Sequence, residues 1–139
     1  MGSKDHSQRG AAAVEFAILA PIFIGLLFAI VEFGLILYTQ SMLAHASREG
    51  ARYGVVFCTP RRTTTEIRAV VQDYLNNCGL TSAAAVTVTG AGGASGNNLQ
   101  ILVNYNYQYF VLSRILNSFS GSSMASSIDL QANTVMIME

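Results

Sequence analysis

Histidine, cysteine and charge are all scarce in this chain of 139 residues. There are two histidines (His6 and His45), two cysteines (Cys58 and Cys78), and eight basic against eight acidic side chains, for a formal net charge of zero. No group of histidine, cysteine and carboxylate has the spacing of a metal site, so no metal is expected. The many serines have no basic partner at a motif distance, and GxSxG does not occur. The glycine-rich stretch at residues 90–98, GAGGASGNN, lacks the GK[ST] and the following helix of a phosphate loop. Asp73 and Asp129 stand isolated in sequence. The expectation is therefore a protein that is not an enzyme and carries no cofactor. Nucleic acid is not expected as a partner either: Arg61-Arg62 is the only basic cluster, and no aromatics interleave with it.

What the chain does have is a long apolar run. Residues 9–37 read RGAAAVEFAILAPIFIGLLFAIVEFGLIL, and from Ala17 to Leu37 Glu32 is the only charged residue. A helix of those 21 residues covers about 31 Å, which matches the hydrocarbon core of a bilayer. A hydrophobic content of 51% with only 12% charged residues fits a chain with one span. Lys4 and Arg9 precede the run. By the positive-inside rule they place the N-terminus in the cytoplasm and the larger, cysteine-bearing part outside. The run is longer than the core of a secretory signal, about 7–15 residues, and Leu37-Tyr38-Thr39-Gln40 continues as helix where such a signal would be cut. The good small-residue junction lies before the run, at Gly10-Ala11.

Glu15 sits near one end of this helix, where a carboxylate in hydrocarbon costs about 2.5–3.5 kcal/mol or more. It needs a partner or an aqueous edge. If the chain is cut after Gly10, the new ammonium of Ala11 stands one helical turn from Glu15, within a subunit or between neighbours. The helix dipole also favours an anion there. The alternative is simply a place at headgroup level. Glu32 lies about 24–26 Å farther along the helix; it either extends to water at the outer interface or pairs with a cation on another subunit. Pro21 removes a backbone donor and can kink the helix. Beyond the span the helical pattern continues to about Val56. There Ala46, Gly50 and Gly54 recur every four residues as a small-residue ridge, able to admit another helix or to pack on the chain's own outer domain. His45 is read as a solvated helix residue.

These residues carry a resemblance. Gly10 followed by Ala11-Ala12-Ala13-Val14-Glu15-Phe16 resembles a prepilin peptidase site, in which a short charged leader ends in glycine and a glutamate stands fifth in the mature chain, followed by an aromatic. Arg9-Gly10, Ala13-Val14-Glu15-Phe16-Ala17, Pro21, Glu32 and the segment ASREGARY at residues 46–53 together resemble the TadE-like family of the tight-adherence (Tad/Flp) pilus system. The likeness covers about residues 9–54. It implies a minor pilin-like subunit, anchored in the bacterial inner membrane and cut by a prepilin peptidase between Gly10 and Ala11. Glu15 and Phe16 would then serve subunit pairing. The implied partners are the membrane, the peptidase, other pilin or pseudopilin subunits and the Tad assembly platform. The runner-up is a protein that keeps its leader and acts as an inner-membrane-anchored accessory of a pilus or secretion machine.

Cys58-Thr59-Pro60 ends the long helix. Thr63-Thr64-Thr65-Glu66 forms a capping box, with Thr63 as N-cap. Ile67, Val70, Val71, Tyr74, Leu75 and Cys78 then mark one face of an amphipathic helix at about residues 64–77, and Gly79 suits its C-terminal cap. Two cysteines on one side of a span suggest one disulfide, Cys58–Cys78, in an oxidising compartment; two free buried thiols are the alternative. The bridge is feasible but taut. Helical residues 63–78 cover about 22 Å, and the five extended steps from Cys58 to Thr63 reach back at most about 17–18 Å.

From residue 84 the period changes to two. Residues 85–89 read as a short strand. In residues 99–110, Ile101, Val103, Tyr105, Tyr107 and Tyr109 share one face, a tyrosine stripe suited to core packing. Residues 111–119 read as a short helix or a crossover, residues 121–127 as a serine-rich loop, and residues 127–138 as a final strand or two. Three segments result: a leader at 1–10, a long helix at 11–57 that spans the membrane at about 16–38, and a periplasmic α/β domain at 58–139. The expected class is α+β: a long transmembrane helix continuing into a small domain with a second, amphipathic helix and a three-stranded antiparallel sheet.

Overall fold

The computed structural model describes residues 3–80, 84–109 and 126–139. Helix α1 (Ser3–Val55) is followed by helix α2 (Thr64–Asn77) and strands β1 (Ala84–Thr89), β2 (Asn98–Gln108) and β3 (Ser127–Ile137). The class is α+β, as the sequence indicates. Residues 111–119 and the serine-rich stretch as far as Ala125 lie outside the described residues. The chain divides into two units. The first holds α1 as far as Gly34, and the second comprises residues 35–108 and 126–139.

In the first unit α1 is apolar on nearly every side. Phe16, Ile18, Leu19, Ile22, Phe23 and Leu26 are all well exposed. A helix uniformly apolar around its axis suits lipid, and α1 is long and apolar enough to cross a membrane, with a mean hydropathy of 2.6 over its most apolar window. Glu32 is different. It is only 2% exposed, so it does not reach out to solvent as one reading of the sequence had it.

The second unit has one core. Its sheet is a meander in the order β1-β2-β3, antiparallel throughout. The β2–β3 register runs unbroken from Asn98↔Ile137 to Gln108↔Ser127, so residues 127–137 form one strand and not two. Alternation puts Leu99, Ile101 and Val103 of β2 and Leu130 and Ala132 of β3 on the buried face. Tyr105 and Tyr107 pack against the same core, so that part of the stripe is internal.

Helix α2 returns antiparallel along α1. Gly54 lies against Ile67, Gly50 against Val71, and Met42 against Cys78. Each step of four residues down α1 is matched by about four up α2, the spacing of ridges on a helix. Leu43, Ala46, Ala51 and Val55 of α1 and Ile67, Val71 and Leu75 of α2 complete the core. The start of α2 is fixed by a capping box: Glu66 N–H donates to Thr63 Oγ1 at 3.3 Å, and Thr63 N–H donates to Glu66 Oε2 at 2.8 Å. These bonds hold the Glu66 carboxyl below its ordinary range, the backbone donor of Thr63 contributing most and its hydroxyl next. At the other end Leu80 N–H returns to the Leu75 carbonyl at 2.9 Å and Gly79 N–H to that of Asn76 at 3.0 Å. This closure needs a left-handed residue, supplied by Gly79 at φ 79°.

Candidate functional site

The first group of candidate residues lies at the start of α1. Gly10, Ala11, Glu15 and Phe16 are all exposed, and Phe16 is 73% so. Glu15 stands one turn beyond Ala11 on the same helix. The Gly10–Ala11 bond therefore lies within helical backbone, and a Cβ placed on Gly10 would meet nothing within 4 Å. The surface that follows, from Phe16 to Leu26, offers lipid or a neighbouring helix only carbon to touch.

The small-residue ridge sits elsewhere, inside the second unit. Ala46 is fully buried. A Cβ on Gly50 would run into Val71 and Ile101, and one on Gly54 into Leu99 and Ile67. Of the two uses open from sequence, the structure shows close approach of the chain's own α2 and β2. Beside the ridge, Ser47 and Thr134 share a hydroxyl hydrogen bond of 2.8 Å, and Gln40 Nε2 donates to the Gln131 carbonyl at 2.7 Å. Sequence reasoning missed both. A serine and a glutamine on an apolar helix face were the available signal.

The cysteines depart from expectation. Cys58 and Cys78 are both free and half-buried. The reason is the hairpin: Cys78 sits beside Met42, its Sγ donating to Met42 Sδ at 3.7 Å, whereas Cys58 follows the far end of α1. From Met42 to Val55 is about 20 Å of helix, beyond the about 4.4–6.8 Å that a bridge spans between Cα atoms. The connecting segment does not fold back along α2 as the bridge required. Arg61 stacks on Phe57 at 4.8 Å and Arg62 on Tyr53 at 4.4 Å, keeping that segment at the end of α1. These contacts also revise the view that Arg61-Arg62 has no aromatic company. Tyr53 and Phe57, four residues apart on the preceding stretch, supply it.

Glu49 pairs with Arg52 at 2.9 Å on the surface of α1 and raises the Arg52 pKa, through its hydrogen bond first and its charge second. Such an exposed pair contributes little to stability. His45 is exposed. Among the described residues no group of three or more histidine, cysteine or acidic side chains could hold a metal ion.

Comparison with known families adds one match: TadE-like protein, over residues 10–52. The match is to that family's model and covers these residues alone. No curated protein and no solved structure matches the chain. The TadE-like segment begins at Gly10 and takes in Glu15, Phe16, Pro21, Glu32, Ala46 and Gly50. It stops before Gly54, both cysteines, α2 and the sheet. It relates the chain to Tad pilus systems, and the apolar part of α1 fits a single-pass membrane protein.

Proposed function

We propose that this chain is a minor pilin-like subunit of a Tad/Flp-type pilus, made as a precursor and cut by a prepilin peptidase after Gly10. The N-terminus faces the cytoplasm, α1 spans the inner membrane at about residues 16–38, and the α/β domain stands in the periplasm. The observation that carries the reading is that the TadE-like match starts at Gly10, at the head of an apolar helix with an exposed glutamate one turn on. Hydrolysis after Gly10 would leave the Ala11 ammonium beside Glu15. The two charges then neutralise each other at the rim of the hydrocarbon, within a subunit or between neighbours, and the apolar surface around Phe16 packs against other subunits. Pilin or pseudopilin subunits and the Tad assembly platform are the partners.

The decisive measurement is the N-terminal residue and intact mass of the protein purified from its own membranes. A chain beginning at Ala11 is expected. A chain that keeps its leader would instead make this a fixed inner-membrane accessory of a pilus or secretion machine. The helical backbone across Gly10–Ala11 favours that second reading, since nothing there is already extended for a peptidase.

A further inference from the structure

The bond cut in the proposed function lies inside α1, with helical backbone from Ser3 onward on its leader side. In an α-helix the Gly10 carbonyl accepts from the N–H of residue 14, and the Ala11 N–H donates to the carbonyl of residue 7. A peptidase that holds its substrate through main-chain hydrogen bonds needs extended backbone. Attack on the Gly10 carbonyl carbon also needs that carbonyl free of the helical ladder.

The glycine itself bears on how this happens. In the same helix, Gly50 and Gly54 are required by space, because a Cβ at either would collide with buried side chains. At Gly10 a Cβ would meet nothing within 4 Å, and Gly10 is not among the glycines with positive φ. Neither room nor backbone conformation calls for glycine there. What glycine changes is the stability of the helix. It is among the poorest helix formers, and it is followed immediately by Ala11, Ala12 and Ala13, the best.

We infer that Gly10 weakens α1 at the scissile bond, and that uncoiling of the turn around it sets the rate at which the leader is removed. The inference rests on the reading that the chain is cut after Gly10. Once the turn opens, hydrolysis breaks the bond between the Gly10 carbonyl carbon and the Ala11 nitrogen. The hydroxyl of water goes to the carbonyl carbon and its proton to the departing nitrogen. The mature helix then starts at Ala11 and gains a free ammonium.

The test uses the full chain in proteoliposomes with a prepilin peptidase, following the Ala11 N-terminus over time by mass spectrometry. Gly10→Ala is expected to slow cleavage about fivefold, and Ala13→Gly to speed it about fivefold, from the alanine–glycine difference in helix propensity. The double variant is expected to return close to the parent rate. Ala12→Gly, on another side of the helix, must behave like Ala13→Gly if helix stability and not one peptidase contact is responsible. Slowing by Gly10→Ala that neither glycine substitution relieves would overturn the inference and point to direct recognition of glycine. Equal rates in all variants would overturn it too. If the unaltered chain is not cut at all, the underlying reading fails instead.

Discussion

Replacing Gly54 by valine places three carbons where the fold has left room for none. The first of them, Cβ, would stand 2.5 Å from Leu99 Cδ2 and 2.7 Å from Ile67 Cδ1. Ordinary carbon contacts are about 3.5–4.0 Å, so each neighbour must yield by about 1 Å. Leu99 and Ile67 are both fully buried, and close-packed interiors hold few voids to receive them. Overpacking of this kind costs about 1–3 kcal/mol. Valine's better helix propensity offsets only a few tenths of about 1 kcal/mol. The net loss is about 2 kcal/mol. For a domain of this size that lowers Tm by about 8–16 °C. The control is Gly34→Val in the same helix, where nothing lies within 4 Å of the added Cβ and no loss of packing is expected. The assay is thermal unfolding of the full chain in detergent micelles, read by near-ultraviolet circular dichroism of Tyr105 and Tyr107. A Gly54→Val protein as stable as the parent would refute the packing of α1 against α2 and β2.

Thr63→Ala removes the N-cap of α2 and is expected to cost about 1 kcal/mol in denaturant unfolding. Because the Glu66 carboxyl is held below its ordinary range in the fold, its contribution is complete above the ordinary carboxylate pKa and is lost as pH falls through the depressed one; the unfolding midpoint of Glu66→Gln should therefore drop less on acidification than that of the parent. Labelling of the unreduced protein with a maleimide is expected to mark two thiols, Cys58 and Cys78, with no further label after reduction; a mass lower by two hydrogens and no labelling would contradict the hairpin geometry. Glu15→Ala is expected to leave membrane insertion intact while impairing pilus assembly, which is checked by fractionation alongside filament counts; unaltered assembly would remove Glu15 from subunit pairing.

Much of the fold was legible because its signals are local. The box from Thr63 to Glu66 and the glycine after Cys78 bracket α2 within one residue of its observed limits, since caps act on the nearest turn. The period-two pattern of β2 and β3 predicts their buried faces, and the tyrosine stripe points inward as expected at Tyr105 and Tyr107. What stayed illegible depends on how elements meet. The sequence could not decide whether Gly50 and Gly54 wait for a foreign helix or for α2, because a small ridge suits both. The disulfide failed for the same reason. Chain length permitted Cys58 to reach Cys78, but the direction in which α2 returns along α1 separates them. At the candidate site, the residues of interest were recognisable from type and spacing, while the helical state of the Gly10–Ala11 bond was not.

The hydrogen bond between Ser47 and Thr134 joins residues 87 positions apart, and that separation has a cost in time. At about 5–20 residues per second, Thr134 follows Ser47 out of the ribosome by about 4–17 s. Until then the side of α1 that carries Leu43, Ala46 and Ala51 has no β3 to cover it. The meander order leaves no shortcut, because β2 and β3 come last in the chain. A nascent chain carries this bare apolar flank until its last strand is made. During that interval the flank offers a holdase a surface that the finished domain has buried.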